Sequence, residues 1–545
     1  MTGLDARQKR LVLLAAILGS SIAFVDGTVV NVALPAIADD LGTGLSGQQW
    51  IVEAYLLTLS SLLLVGGSLG DHFGRRRVFE LGVAGFGVTS VLCAAAPTTE
   101  VLIAGRALQG MAGALLIPGT LALIVNVFPP EERGAAIGSW TAWAGVAGVI
   151  GPFLGGVLVE TTTWRLIFLI NVIPVVVTVF LIRRSVPKEL DVREPGHVDI
   201  AGAVLCALGL AGVVFALIEQ STYGFGDPRI YVPLVGGIVL LALFMLQERR
   251  SPDPMLPTVL FRERNFAVGN AATLTMYAGL GAATFFLPLF LQQVAGYSPI
   301  GAGLALLPLT VVMFLLAKRF GRLADRFGPR VFMGVGPLIA GAGLLLFMRL
   351  GDDVNYFRDL LPPALVFALG LSMTVAPLTA AVLASVDEHR SGVASGINNA
   401  IARVAGLLAI AAVGAAVSAQ FSSTVDDHLR EVPLGARGTA VVAEAKDRPL
   451  SGRPEERLAP GEQATVTAAI DAASVDSFRV GMGVSGLLVI FGGVISLVGI
   501  VNPKRRVLAS DCPGGALTGA SEDLARLPVL RVPRERLPSI ATRQV

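Results

Sequence analysis

The sequence predicts an all-α polytopic membrane protein of about 14 spans, built as two six-helix bundles with two further helices inserted between them. Three observations lead there. Only 15% of the 545 residues are charged, 53% are hydrophobic, and mean hydropathy is +0.70; a soluble chain carries about 25% charged residues. Apolar runs of about 20 residues, the length that crosses a bilayer as a helix, recur from end to end. Finally, GSLGDHFGRR at 67–76 is echoed by GRLADRFGPR at 321–330, and more weakly ERGAAIG at 132–138 by HRSGVASG at 389–396.

The first six spans are predicted at 11–34, 48–69, 78–96, 101–123, 136–159 and 165–184. The run RQKRLVLLAAILGSSIAF resembles a signal peptide, but the many spans after it favour an uncleaved first helix. An inserted pair follows at 199–219 and 231–247. The last six lie at 266–293, 302–317, 331–348, 362–383, 395–418 and 480–501. The organisation is therefore an N-terminal segment 1–10, a first bundle 11–184, an inserted pair with its loops 185–265, and a second bundle 266–502. Residues 420–478 are polar and read as a long external loop, with a small folded cap as the alternative. The basic tail 503–545 reads as disordered.

Arginine and lysine alternate between loops. Arg7, Lys9 and Arg10 precede the first span; Arg75, Arg76 and Arg77 follow the second; Arg183, Arg184, Lys188 and Arg193 follow the sixth. Arg249, Arg250, Arg262 and Arg264 follow the eighth, and Lys318, Arg319, Arg322, Arg326 and Arg330 the tenth. Intervening loops such as ADDLGTGLSGQQ and APTTE have none. By the positive-inside rule both termini are predicted cytoplasmic.

Other chemistry is poorly supported. The net charge is +2, three cysteines (Cys93, Cys206, Cys512) make no disulfide framework, and His72, His197, His389 and His428 have no ligand spacing. No P-loop pattern occurs, so no built-in ATPase is expected. GMGVSG at 481–486 opens an apolar span instead of joining a strand to a helix, which suits helix packing and not a dinucleotide. Dispersed basic residues give no nucleic-acid surface. No enzyme activity, cofactor or metal is expected.

Four stretches carry the remaining signal. GSLGDHFGRRR offers a turn at Gly67 and Gly74, a capping or pairing acid at Asp71, and an anchor at Arg75. Its second copy keeps Asp325, but Pro329 replaces one arginine. IAGRALQGMAGALLIPG places Arg106 and Gln109 inside span four, where a charge costs about 2.5–3.5 kcal/mol and normally faces the bundle interior with a partner; snorkelling to an interface is the alternative. GVAGVIGPFLGG, with Gly148, Gly151, Pro152, Gly155 and Gly156, makes a small-residue groove on span five. AFVDGTVVNVALP puts Asp26 and Asn31 in span one.

These motifs resemble the major facilitator superfamily, and within it the branch of fourteen-span drug:proton antiporters. The first is similar to the superfamily's cytoplasmic loop signature, the second to its fourth-helix signature and the third to its antiporter signature. AFVDGTVVNVALP, WRLIFLINVIP (164–174) and LPLFLQQVAGYSPIGAGLALLP (287–308) resemble patterns of the fourteen-span branch. The resemblance covers nearly all of the membrane part, but neither 420–478 nor the tail. It implies a major facilitator fold, a conformational latch at Gly67, Asp71, Gly74, Arg75 and Asp325, proton transfer involving Arg106, and export by alternating access.

Without a nucleotide site the energy source is expected to be an ion gradient, with one charge worth about 2.3 kcal/mol per 100 mV. Few membrane acids qualify as proton carriers: Asp26 and Glu53, with Arg106 tuning them; Glu219 reads as interfacial. Whether Asp26 holds the proton, a cationic substrate or each in turn stays open. Asn31, Gln109, Gln292 and Asn399 are candidates to line an apolar central cavity; the aromatics Trp50, Tyr55, Phe285 and Phe286 either line it or face lipid or pack. The expected partners are small lipophilic, often cationic drug-like compounds, protons and membrane lipids, handled by a monomer in a bacterial cytoplasmic membrane. Export of one endogenous metabolite or antibiotic, or a non-transporting sensor or lipid-handling role, are the alternatives.

Overall fold

A computed structural model describes residues 5–186, 199–251, 254–386, 391–450 and 458–502. The tail 503–545 and much of the basic loop after span six, including Lys188 and Arg193, lie outside the described residues.

Helices account for nearly all of the described chain, and no strand occurs among the described residues. The first bundle holds α1 (Ala6–Leu41), α2 (Leu45–Phe73), α3 (Arg75–Ala94), α4 (Thr99–Val127), α5 (Pro130–Thr161) and a broken sixth span, α6 (Leu166–Leu169) with α7 (Val172–Ser185). The inserted pair is α8 (Ile200–Tyr223) and α9 (Pro228–Arg250). The second bundle holds α10 (Arg264–Gln293), α11 (Pro299–Ala305) with α12 (Leu307–Phe327), α13 (Pro329–Leu346), α14 (Leu361–Leu383), α15 (Ser391–Leu429) and α17 (Pro460–Gly499), with α16 (Ala436–Asp447) between the last two. Thirteen spans among the described residues are long and apolar enough to cross a membrane, and α5, 32 residues long, is the remaining membrane-length helix.

Local chemistry sets the ends. Asp5 caps α1 through a reciprocal box with Gln8, whose N–H donates to the Asp5 carboxylate at 2.6 Å. Gly42 closes α1 in the left-handed region at φ 67°. The internal repeat appears in the backbone: Gly74 and Gly328, equivalent positions of the two loop motifs, turn at φ 103° and 89°. Only glycine adopts these values without strain, so each helix can stop and the next begin with no linker.

One apolar cluster joins the two bundles at the end opposite the arginine-rich loops. It combines Val29, Ile37, Leu45, Trp164 and Phe168 with Phe285, Phe286, Phe290, Leu344, Phe347 and Phe478. Phe285 and Phe286 therefore pack in the core. At the arginine-rich end the clusters separate: Leu59, Phe79, Phe86 and Ile182 belong to the first bundle, Phe266, Met333 and Val382 to the second. The two halves share one apolar core at the first end and keep separate cores at the other.

The long polar connection differs from the expected external loop. α15 runs on to Leu429, α17 starts at Pro460, and α16 packs between them. Phe421, Val425 and Leu429, spaced one turn apart, meet Val441, Val442, Val466 and Ile470 in a separate small core. Leu450, at φ 66°, is fully buried in the main cluster, and Arg448 donates to the Gly42 carbonyl at 3.4 Å. The segment is a helical cap tied to the first bundle.

Candidate functional site

Asp26 is completely buried in α1. Three side chains donate to its carboxylate: Arg106 Nη1 to Oδ2 at 2.5 Å, and Gln109 Nε2 and Asn171 Nδ2 to Oδ1 at 3.0 Å each. Arg106 and Gln109 lie three residues apart on one face of α4, which aims both at α1. Arg106 is 1% exposed, so snorkelling does not apply. Its Nε donates to the Ile51 carbonyl at 3.1 Å, its Nη1 also donates to Gln109 Oε1 at 2.6 Å, and its guanidinium stands 4.3 Å over the Tyr55 ring. Ser90 of α3 accepts from Gln109 at 2.9 Å.

Asn171 was not among the site residues expected from sequence, although it stands in WRLIFLINVIP. Pro174 has no N–H for the Ile170 carbonyl, which interrupts the sixth span between α6 and α7. Asn171 sits at that break, 2% exposed, with its amide turned to Asp26. The signal was the pairing of a polar residue with a proline three positions later in an apolar run.

Glu53 contrasts with Asp26. It too is fully buried, but neither carboxylate oxygen has a hydrogen-bond partner. It lies one turn from Gln49, whose Nε2 donates to the Ile410 carbonyl of α15 at 2.9 Å, and one turn from Leu57, which packs against an apolar cluster shared by α8 and α15. The two acids thus occupy different environments, one saturated by donors and one bare.

The tentative cavity residues divide. Asn31 lines a cavity of about 150 Å³ with Thr28, Pro152, Thr284, Gly303 and Phe367, and its Oδ1 is buried without a partner. Gln292 bridges the bundles, donating to the Val32 carbonyl at 3.0 Å. Gln109 and Tyr55 belong to the Asp26 cluster, and Asn399 accepts from Arg403 at 3.3 Å. Trp50 takes the packing alternative. Its Nε1 donates to Glu219 of α8 at 2.8 Å and its ring lies 6.1 Å from Phe215, so it anchors the inserted pair and does not face the space between the bundles.

The glycines of α5 form a seam. A Cβ at Gly151 would lie 2.0 Å from Thr28 Oγ1, and one at Gly155 2.9 Å from the Val29 carbonyl oxygen. A Cβ at Gly156 would lie 2.5 Å from the Pro299 carbonyl oxygen, and from the other bundle one at Gly303 would lie 2.7 Å from the Pro152 carbonyl oxygen. α5 is thus pressed between α1 and α11, across the divide. The surroundings of Gly148 fall outside what is described. In the loop motif, Arg75 pairs with Asp71 at 2.8 Å and donates to Asn126 of α4 at 2.9 Å, and Gly67 faces Pro118. The Asp325 side chain falls outside the described residues.

The model of the Major Facilitator Superfamily matches residues 16–410. The chain belongs to that superfamily. Among curated relatives of this major facilitator protein, the puromycin resistance protein of Streptomyces alboniger is 36% identical over 77% of this chain and 83% of its own. The tetracenomycin C resistance and export protein of Streptomyces glaucescens is 31% identical over 89% and 90%. The multidrug resistance protein Stp of Mycobacterium tuberculosis is 33% identical over 78% and 79%. A bacterial homologue of the human lysosomal transporter Spinster, solved inward-facing and unoccupied, superposes with a TM-score of 0.62 at 16% identity, covering 92% of this chain and 100% of that one. That likeness concerns the fold.

Proposed function

We propose that this major facilitator protein is a proton-motive-force-driven exporter of small lipophilic, drug-like compounds. It would sit in a bacterial cytoplasmic membrane with both termini inside, working as a monomer without a cofactor. In this orientation the arginine-rich end is cytoplasmic and the conformation is open inward. The observation that carries the reading is the pair of buried acids, Asp26 held by three donors and Glu53 by none. An ionised carboxylate with no donor in a low-dielectric interior is costly. Glu53 therefore carries the proton in this conformation, and Asp26 stays paired with Arg106. Rearrangement toward the outward-open state moves Glu53 relative to α15 and changes its access to water. Arg75, Asp71 and Gly74 fasten the cytoplasmic ends of α2, α3 and α4 as the latch.

Export is supported by relatives named for resistance and export. Some are named for one antibiotic, such as tetracenomycin C, and this favours dedicated export of a single compound as the second reading. A susceptibility panel in a pump-deficient bacterial host separates them. Protection against several unrelated compounds, abolished by a protonophore, supports the broad exporter. Protection against one compound supports the dedicated one, and protection that survives the protonophore contradicts proton coupling.

A further inference from the structure

Apart from the charges in the second half of α12, which include Lys318, Arg319 and Arg322, one charge interrupts the apolar stretches of the second bundle. From Asn265 to Gln293, Val331 to Leu346, Leu361 to Leu383 and Gly481 to Gly499 no Asp, Glu, Lys or Arg occurs, and between Ser391 and Val425 the only one is Arg403. Its place in α15 is fixed by its neighbours. A Cβ at Gly396 would lie 3.5 Å from Leu64 of α2, and Ile410 accepts from Gln49 of α2. Positions 396, 403 and 410 are seven apart, so Arg403 shares the face that α15 turns to the first bundle.

Arg403 has little to neutralise it. Its Nε donates to Asn399 at 3.3 Å, one turn earlier on the same helix, and among the described residues it forms no ion pair with a carboxylate. Asp26 is already matched by Arg106. With Glu53 protonated, the inter-bundle space carries a net positive charge at α15. A cation kept unpaired within the membrane is a functional feature by default, and a guanidinium offers two parallel donors suited to a carboxylate.

We propose that Arg403 is the subsite that receives an acidic group of the cargo, a carboxylate or phenolate, so that the cargo range of this exporter includes amphipathic weak acids. The proposal rests on the exporter reading, and the experiment separates the two. Fluorescein serves as the acidic probe and ethidium as the cationic one, with binding to the purified full-length protein followed by fluorescence polarisation. Fluorescein is expected to bind the wild type, Arg403→Gln to weaken it by about tenfold or more, and Arg403→Lys to keep it within about threefold. Ethidium binding, unchanged in both variants, reports an intact fold. Equal fluorescein affinity in wild type and Arg403→Gln, or no fluorescein binding to the wild type, overturns the proposal. Gradient-driven efflux of both probes is then followed in proteoliposomes. If fluorescein binds through Arg403 but neither probe is moved by a pH gradient, the acidic subsite stands and the exporter reading falls.

Discussion

At the scale of single residues, the centre of the molecule is a carboxylate saturated by donors from three directions. Removing one partner of a buried ion pair leaves the other charge uncompensated, at about 3–5 kcal/mol. Arg106→Ala is accordingly expected to destabilise the protein by that order and to abolish transport, read as thermal unfolding in detergent and as vesicle efflux. Asn171→Ala removes a single donor to Asp26, worth about 1.5–3 kcal/mol for a bond to a charged group. It is expected to keep the fold and slow transport roughly tenfold or more. Unaltered efflux in Asn171→Ala would show that the amide does not matter to the cycle. Asp26, Arg106 and Gln109 were legible because polar residues are costly in an apolar run and stand out there. Asn171 was legible only as part of a motif, since its role depends on a helix break that brings α6 and α7 beside α1. The choice between cavity and packing for Trp50 was not legible, because its partner, Glu219, is distant in sequence, and hydropathy does not say which neighbour a rim residue faces.

At the scale of elements, the α5–α11 crossing fixes which end is closed. Gly156 and Gly303 each rest on a backbone carbonyl of the opposite helix, so neither surface can yield by moving a side chain. Overpacking of this kind costs about 1–3 kcal/mol. That energy falls on the conformation in which the helices touch, and it is enough to shift a two-state equilibrium about 5–150-fold. Gly156→Leu and Gly303→Val are therefore expected to favour the alternative, outward-open state. Spin-label distances across the two bundles at this end should lengthen, and transport should slow because the cycle stalls. Unchanged distances in both variants would mean that the seam does not set the equilibrium. The glycine spacing was legible as a packing groove, but its partner was not, because the first residue of a helix in the other bundle supplies the opposing carbonyl.

At the scale of the whole molecule, two bundles, an inserted pair and a cap share one closed end. The periodic apolar runs and the repeated loop motif made the bundles legible. The cap was legible only as the alternative to a loop, since hydropathy marks where a helix meets lipid and not where it stops. α15 and α17 continue past the apolar runs, and their extensions bury Phe421, Val425 and Ile470 against α16. Leu450 plugs this cap into the main core, and Leu450→Asp places a polar group where exposure is 0%. The variant is expected to loosen the closed end. With Cys93, Cys206 and Cys512 replaced by serine, a cysteine at buried Ile37 should then react faster with an impermeant maleimide. An unchanged rate would show that the cap does not hold the mouth shut.

The proposed cycle places its driving step at Glu53. The most direct measurement is cargo movement in proteoliposomes, with and without an imposed pH gradient, for wild type and Glu53→Gln. The amide resembles the protonated acid in size and charge but cannot release a proton. The account predicts that Glu53→Gln loses uphill, gradient-driven export while still exchanging cargo down its own concentration gradient. Uphill export by Glu53→Gln at the wild-type rate would contradict it.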